Sequence, residues 1–256
     1  MQSIRHAQNA SFIGVDLAWS DRNPSGVAHL ARVGKGCILM STDSFRSDEA
    51  IINWIEERSK KTSWVGIDAP IIAPNPAKTT RPVDRLVSSR FGRFHAGVYP
   101  GNRLRCARPI RLSNKLAVRG FSPDPFLATN RGKRQLEIFP HLVQVAFFGR
   151  KKIIKYKKGT VYQKRNGLRQ LQHAVREHLP AQMPSLLPSP SLTNLLGERP
   201  HRLRGKQLKG LEDRIDALLC AYMSFYFWYW REARCEILGD LRQGYIIGPK
   251  DKWFGA

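Results

Sequence analysis

Short apolar runs separated by glycine and proline occupy the first 70 residues of the chain, and they predict strands. Three of them, SFIGVDL (11–17), GVAHLARV (26–33) and GCILMST (36–42), follow one another across tight-turn residues, which is typical of consecutive strands. A helical stripe that Ser47 can cap comes next, before a further buried strand in WVGIDAP (64–70). The predicted order of elements is therefore β-β-β-α-β.

Beyond residue 70 the apolar pattern is interrupted by proline, glycine and arginine, and the predicted elements lie farther apart. The Pro-Ser composition of MPSLLPSPS (183–191) predicts a linker. The other predicted elements are helices near 79–91 and 111–119, a strand over 134–140, a long helix over about 211–230 and a small hairpin within 236–249.

The length and composition are those of a globular α/β protein with one large domain. The chain has 256 residues, of which 42% are hydrophobic and 25% charged, so collagen-like, mucin-like and disordered classes are excluded. We predict a flexible N-terminal tail at 1–10 and a single domain at 11–256. Insertions into this domain are expected at about 70–133 and 150–210.

One segment is apolar enough to suggest a membrane helix, but it is too short to be one. The run ALLCAYMSFYFWYW (217–230) has fourteen residues, whereas a spanning helix needs about 20. We therefore expect a buried helix and no membrane contact.

The first twelve residues lack the apolar stretch of a signal peptide, which favours a cytoplasmic location. The cysteines fit neither a zinc site nor a disulfide framework, and we expect them to be reduced: Cys37, Cys106, Cys220 and Cys235.

The charge balance favours a polyanionic partner. Forty-three Lys and Arg residues against twenty Asp and Glu residues give a net charge of +23. A surface of this charge concentrates polyanions around the protein, so we expect a nucleic acid, DNA or RNA, as the partner. The excess is greatest at 70–136, with fourteen basic and two acidic residues, and at 150–169, with nine basic residues. General basicity without such a partner is the alternative.

Five acidic residues stand out because the sequence around them is apolar. Asp16 and Asp68 end predicted strands, Glu137 lies inside one, and Asp213 and Asp216 open the most apolar helix. Buried carboxylates are costly unless they are paired or bind a cation. A right-handed β-α-β crossover would place Asp16 and Asp68 side by side at the carboxyl ends of adjacent parallel strands. Asp213 and Asp216 are three residues apart and share one helix face.

Such a set of oxygen ligands predicts a site for a hard divalent cation. Mg²⁺ and Mn²⁺ prefer carboxylate oxygens and keep positions for water and phosphate. Two such ions can activate a water and stabilise the departing oxygen of a phosphodiester. We therefore expect Asp16, Asp68, Asp213 and Asp216 to bind Mg²⁺ or Mn²⁺. Each acid taken alone could instead have a purely structural role.

Four sequence blocks resemble a known family. FIGVDLAWS, WVGIDAPIIAPN followed by RPVDR, LEIFPH and DRIDALLCAY occur in this order between about residues 11 and 249, and they look like the blocks of the domain of unknown function 429 family. That resemblance implies an RNase H-like fold with a five-stranded mixed sheet, three antiparallel strands preceding two parallel ones. It also implies a metal-dependent nuclease, with Asp16, Asp68 and Asp216 as the superfamily's acids, Asp213 one turn before Asp216, and Glu137 in the family's own EIFP-type block.

Several basic residues are candidates for binding the phosphate backbone. Arg81 and Arg85 are one turn apart and could face one phosphate through their guanidinium groups, although Arg81 could instead pair with Asp84. The remaining candidates lie in the other basic stretches: Lys151, Lys152, Lys155, Arg202 and Arg204.

Three functions are compatible with these features. The first, which the acids favour, is a two-metal-ion nuclease that hydrolyses phosphodiesters, with Asp16, Asp68, Glu137, Asp213 and Asp216 as its catalytic residues. The second is an inert nucleic-acid-binding module of the same fold, which would bind equally well in EDTA. The third is a phosphotransferase, but 17–21 lacks the glycine-rich turn that grips a nucleotide. The oligomeric state stays open.

Overall fold

The core of the protein is a mixed sheet with helices packed on it. The computed structural model describes residues 10–149 and 151–250. In spatial order the strands of the sheet are β5 (Lys133–Glu137), β4 (Thr62–Ile67), β1 (Ala10–Asp16), β2 (Ser25–Val33), β3 (Gly36–Phe45) and β6 (Leu186–Leu187). Strands β1, β2 and β3 are antiparallel neighbours, whereas β4 pairs parallel to β1 and β5 pairs parallel to β4.

Helices connect and cover these strands. In chain order they are α1 (Asp48–Arg58), α2 (Pro82–Phe91), α3 (Ala107–Val118), α4 (Pro140–Phe147), α5 (Val161–His178), α6 (Pro190–Gly197) and α7 (Gly205–Trp230). A hairpin of β7 (Cys235–Asp240) and β8 (Gly244–Pro249) follows α7. This hairpin and helices α2 and α4 enclose a second, smaller apolar cluster beside the main core.

The predicted β-β-β-α-β order is confirmed, and so is the hairpin within 236–249. The sheet differs from the expected five strands because β6 adds a sixth, pairing parallel with β3 at Cys37 and Ile38. It lies inside the segment predicted as a linker. Helix α5 was not predicted; Thr160 and Gln163 form a capping box at its start. The predicted strand at 134–140 is shorter, because Pro140 begins α4.

Helix α7 lies directly on the sheet, and its apolar run is buried there. Glycine residues on the strands allow this close approach. A Cβ on Gly14 of β1 would lie 1.8 Å from the Ala217 carbonyl oxygen, and one on Gly26 of β2 would lie 2.2 Å from the Asp213 carbonyl oxygen. Because Gly26 pairs with Asp16, the same glycine brings α7 against the end of β1.

Gly14→Ala should therefore push α7 away from the sheet. We expect a loss of unfolding free energy of about 3 kcal/mol or more, since overpacking against backbone cannot be relieved by a rotamer change. Urea denaturation of both proteins measures the loss. Gly210→Ala on α7 is the matched control, because a Cβ there meets nothing within 4 Å, and it should stabilise the helix by about 0.5–1 kcal/mol. Equal stability of Gly14→Ala and the wild type would contradict this account of the packing.

The remaining expectations concern the termini, the membrane and the cysteines. Of the predicted tail at 1–10, residues 1–9 lie outside the described residues, and Ala10 begins β1. Within 10–149 and 151–250, no helix has both the length and the apolar character to cross a bilayer. Four free cysteines are buried: Cys37, Cys106, Cys220 and Cys235.

Candidate active site

A cavity of about 460 Å³ opens where three parallel strands end. Asp16 is the last residue of β1, Asp68 follows the last residue of β4, and Glu137 is the last residue of β5. The Asp68 amide donates a hydrogen bond of 2.8 Å to the Val15 carbonyl. The predicted adjacency of Asp16 and Asp68 is therefore confirmed. All three acids line the cavity.

Helix α7 adds acids from the other side of the site. Asp213 lines the cavity, and its peptide lies over Gly26, opposite Asp16. Asp216 is fully buried one turn later. The structure thus brings all five predicted acids to one end of the sheet, but it distributes them over separate ion-pair clusters.

The first cluster is organised by Lys157, which precedes α5. Its Nζ lies 2.7 Å from Asp216 Oδ2 and 3.7 Å from Asp68 Oδ2. Burial would lower the pKa of Lys157, but the carboxylates of Asp216 and Asp16 outweigh burial and raise it, so the ammonium stays charged. Burial raises the pKa of Asp68; Lys157 opposes this shift, and Asp16 and Asp216 add to it.

A hydrogen-bond chain fixes Asp216 from behind. The Tyr156 hydroxyl donates to Asp216 Oδ1 at 2.6 Å, and the Gln144 side-chain amide donates to the Tyr156 oxygen at 3.0 Å. Tyr156 and Gln144 are both buried. Asp216 therefore accepts one hydrogen bond from a neutral donor and forms one ion pair with a cation, and together they hold the carboxylate in one orientation.

The second cluster is organised by Lys209, in the first turns of α7. Its Nζ contacts Asp213 Oδ1 and lies 2.8 Å from Glu212 Oε1. Burial raises the pKa of Asp213 to about 9, and the neighbouring Asp16 carboxylate acts in the same direction. Asp16 Oδ2 and Asp213 Oδ2 are buried and have no hydrogen-bond partner among the described residues.

The third cluster joins Glu137 to Arg81 and Asp84. Arg81 donates from Nη1 to Glu137 Oε2 at 2.8 Å and from Nη2 to Oε1 at 2.6 Å. Its Nε and Nη2 also donate to Asp84, and Nη1 donates to the Ile72 carbonyl. Burial raises the pKa of Glu137 to about 7, although Arg81 opposes that shift. Arg81 is buried with its donors engaged, so it is placed to clasp two acids and not to face a phosphate as expected.

The acids do not form the single oxygen cluster that the sequence predicted. Within the described parts of the chain, no three Asp, Glu, His or Cys side chains converge in an arrangement that could hold a metal ion. The physical reason is charge: buried carboxylates repel one another unless a cation lies between them, and here Lys157, Lys209 and Arg81 supply the cations.

The donor chemistry nevertheless fits a hard divalent cation. The ligand atoms available are all carboxylate oxygens, and the unpartnered oxygens of Asp16 and Asp213 lie in the wall of an open cavity. Lys209, which neutralises this pair, has a side chain that is 48% exposed. It can therefore rotate into solvent when another cation takes its place.

A comparison with protein families agrees with the four sequence blocks. The model of a family described as a protein of unknown function, DUF429, matches residues 14–240. The chain belongs to the DUF429 family. No curated protein matches the chain. The matched range of this DUF429 protein contains the five acids and both site lysines.

Apart from Arg81, which is buried in the cavity wall, the predicted phosphate-binding residues lie on the surface of the DUF429 protein and do not line the cavity. Arg85 is exposed and donates to the Thr80 carbonyl at 2.7 Å. The others are exposed as well: Lys151, Lys152, Lys155, Arg202 and Arg204. The structure thus separates a carboxylate cavity from basic outer surfaces.

Sequence reasoning missed the two lysines of the site. Lys157 belongs to a basic run, and nothing in the sequence distinguishes it from the exposed Lys155 in the same run. Lys209 precedes Glu212 by three residues and Asp213 by four, which is the spacing of helical ion pairs. The sequence therefore carried a signal for Lys209 but none for Lys157.

His141 lies behind the cavity of the DUF429 protein and is neutral there. Its ring packs edge-on to Phe139 and Tyr156. Burial lowers the pKa of His141 to about 4, and the Lys157 ammonium acts in the same direction. At pH 7 the ring lacks the acidic second proton of an imidazolium, so His141 is not a general acid candidate.

Proposed function

We propose that this DUF429 protein is a divalent-cation-dependent hydrolase of nucleic-acid phosphodiesters, built on an RNase H-like fold. The observation that carries the proposal is the meeting of Asp16, Asp68 and Asp213 in one open cavity at the ends of two parallel strands. Three antiparallel strands followed by two parallel ones agree with the expected fold. Strand β6 is then an addition at the edge of the sheet.

The cation would be Mg²⁺ or Mn²⁺, held by Asp16 and Asp213, with Asp68 and Asp216 for a second ion. When bound, such ions activate a water and neutralise the charge that develops on the phosphate. The chain's own residues supply the preorganisation. Tyr156 and Lys157 orient Asp216, and the clasp of Arg81 on Glu137 holds the end of β5 in place beside Asp68.

The charge distribution suits a polyanionic substrate. The net charge of +23 attracts the nucleic acid, and the exposed side chains of Arg85, Lys151, Lys152 and Lys155 are available for its backbone. Neutralising several phosphates makes binding weaken steeply as the salt concentration rises. The acidic cavity then receives the one phosphate that the surface has drawn in.

One observation favours the second candidate, an inert nucleic-acid-binding module. Lys157 and Lys209 already form ion pairs with Asp216 and Asp213, so two of the acid clusters contain a cation of the chain itself without a metal. In this alternative the lysines are permanent partners of the acids, and the fold serves only to present basic surfaces. The two candidates differ in what a divalent cation does to the protein and to its substrate.

The deciding experiment incubates purified protein with labelled single-stranded, duplex and branched DNA and RNA in Mn²⁺, Mg²⁺ or EDTA. The hydrolase is expected to produce shortened products with Mn²⁺ or Mg²⁺ and none with EDTA. Retention of intact substrate with either metal, combined with equal binding in EDTA, would overturn the hydrolase and establish the binding module. Products that also form in EDTA would overturn the metal requirement.

A further inference from the structure

The cavity that contains the acids also has an aromatic side. Trp19, three residues beyond Asp16, lines it together with Tyr99, Val98 and Phe139. The Trp19 and Tyr99 rings meet edge to face, with their centroids 5.9 Å apart and their planes at 69°. Neither ring takes part in the ion-pair clusters, so the proposed chemistry leaves both without a role.

Tyr99 is unusually open to solvent for an aromatic residue in a cavity wall. It is 66% exposed, and the Arg105 guanidinium lies 5.0 Å from its ring centroid. Arg105 is itself exposed. An exposed ring beside an exposed guanidinium is the combination with which proteins bind single strands, since the ring stacks on a base and the cation contacts the backbone.

The size and position of this aromatic side limit what can bind. The cavity of about 460 Å³ falls in the range of sites for one small ligand, and it is too small to take in a duplex. Trp19 and Asp16 line the same cavity, so a base on Trp19 and a phosphate near Asp16 would belong to one bound strand. In a duplex the base faces are already stacked, whereas an unpaired base offers a free face.

We propose that Trp19 and Tyr99 form a stacking site for an unpaired nucleobase, which makes single-stranded nucleic acid the substrate class of the carboxylate cavity. Only the statement that single-stranded nucleic acid is the substrate rests on the proposed hydrolase function. The stacking site itself is a binding property that does not depend on cleavage. Arg105 holds the backbone next to the stacked base.

Binding measured in EDTA tests this site separately from hydrolysis. Fluorescence anisotropy is recorded with a labelled single-stranded DNA, the same sequence in RNA, the same DNA annealed to its complement, and an abasic strand of equal length. Tyr99→Leu is expected to weaken binding of both single strands by about tenfold, as removal of a stacking ring does. Its binding of the duplex and of the abasic strand should equal that of the wild type. Tyr99→Phe should restore the affinity, because the ring and not the hydroxyl stacks.

The control is Tyr162→Leu, which removes another exposed tyrosine, on α5, that does not line the cavity. It should leave single-strand affinity within about twofold of the wild type. If Tyr99→Leu bound the base-bearing single strands with wild-type affinity, the proposal would be overturned. An equal loss of affinity for the abasic strand would overturn it as well. A protein that loses single-strand affinity in this way but never cleaves would keep the stacking site and lose the hydrolase assignment. If the protein cleaved its substrate but Tyr99→Leu did not change single-strand affinity, the hydrolase assignment would stand and the stacking site would be overturned.

Discussion

Asp16→Asn is expected to abolish metal-dependent cleavage while the protein still folds and binds nucleic acid. The substitution keeps the size of the side chain but removes the negative charge of a carboxylate whose Oδ2 has no hydrogen-bond partner among the described residues. Changes in the surroundings of metal ligands already cost about 10–100-fold in activity, so loss of a ligand itself should exceed about a hundredfold. Cleavage rates in Mn²⁺ and Mg²⁺ measure the effect.

Binding provides the internal check on the Asp16→Asn variant. Removing a negative charge from the cavity lowers its repulsion of phosphate, so nucleic-acid affinity should stay equal or become tighter. Asp43→Asn is the matched control, since Asp43 is an exposed aspartate on β3 outside the cavity. It should cleave at the wild-type rate. If Asp16→Asn also cleaved at that rate, Asp16 would not hold a catalytic cation.

Arg81→Met should cause the largest loss of stability among these substitutions. Arg81 is 1% exposed and is the shared partner of Glu137 and Asp84, both buried. Removing it leaves two carboxylates without their cation in the protein interior, which typically costs about 3–5 kcal/mol. Urea denaturation at neutral pH measures the change in unfolding free energy.

Two further variants make the Arg81 experiment decisive. Arg85→Met removes, one turn after Arg81, an exposed guanidinium that donates a hydrogen bond to a backbone carbonyl. This substitution should change the free energy of unfolding by less than about 0.5 kcal/mol. Adding Glu137→Gln to Arg81→Met should recover part of the loss, because it removes one of the uncompensated charges. Equal, small effects of Arg81→Met and Arg85→Met would mean that the clasp does not stabilise the fold.

The strand framework of the site could be predicted because it depends on local patterns. Apolar runs that end in an acid indicated β1 and β4, and the handedness of a β-α-β crossover then placed Asp16 and Asp68 side by side. The confirmed parallel pairing needs no knowledge of side-chain packing. The length of the long helix was underestimated, since its polar first turns, from Gly205 onwards, lack the apolar stripe of the remainder.

The partners of the acids could not be predicted in the same way. A lysine in a basic run has the same sequence context whether it points to solvent, as Lys155 does, or toward a buried carboxylate, as Lys157 does. Arg81 illustrates the same limit, since its neighbour Arg85 has the exposure that both were expected to have. The direction in which a single side chain points is decided by its contacts with elements that are distant in the sequence.

The amino-acid sequence alone determined the strongly basic character of this DUF429 protein, its α/β class and the positions of the two acids that end parallel strands. These properties follow from composition and from periodicity over a few neighbouring residues. Only the tertiary structure decided that three cations divide five acids into separate clusters and that Trp19 and Tyr99 face the same cavity. The pairings of Lys157 with Asp216 and of Arg81 with Glu137 join residues far apart along the chain, because buried carboxylates require a cation from wherever the packing can bring one. The meeting of Trp19 and Tyr99 is likewise set by packing between distant segments.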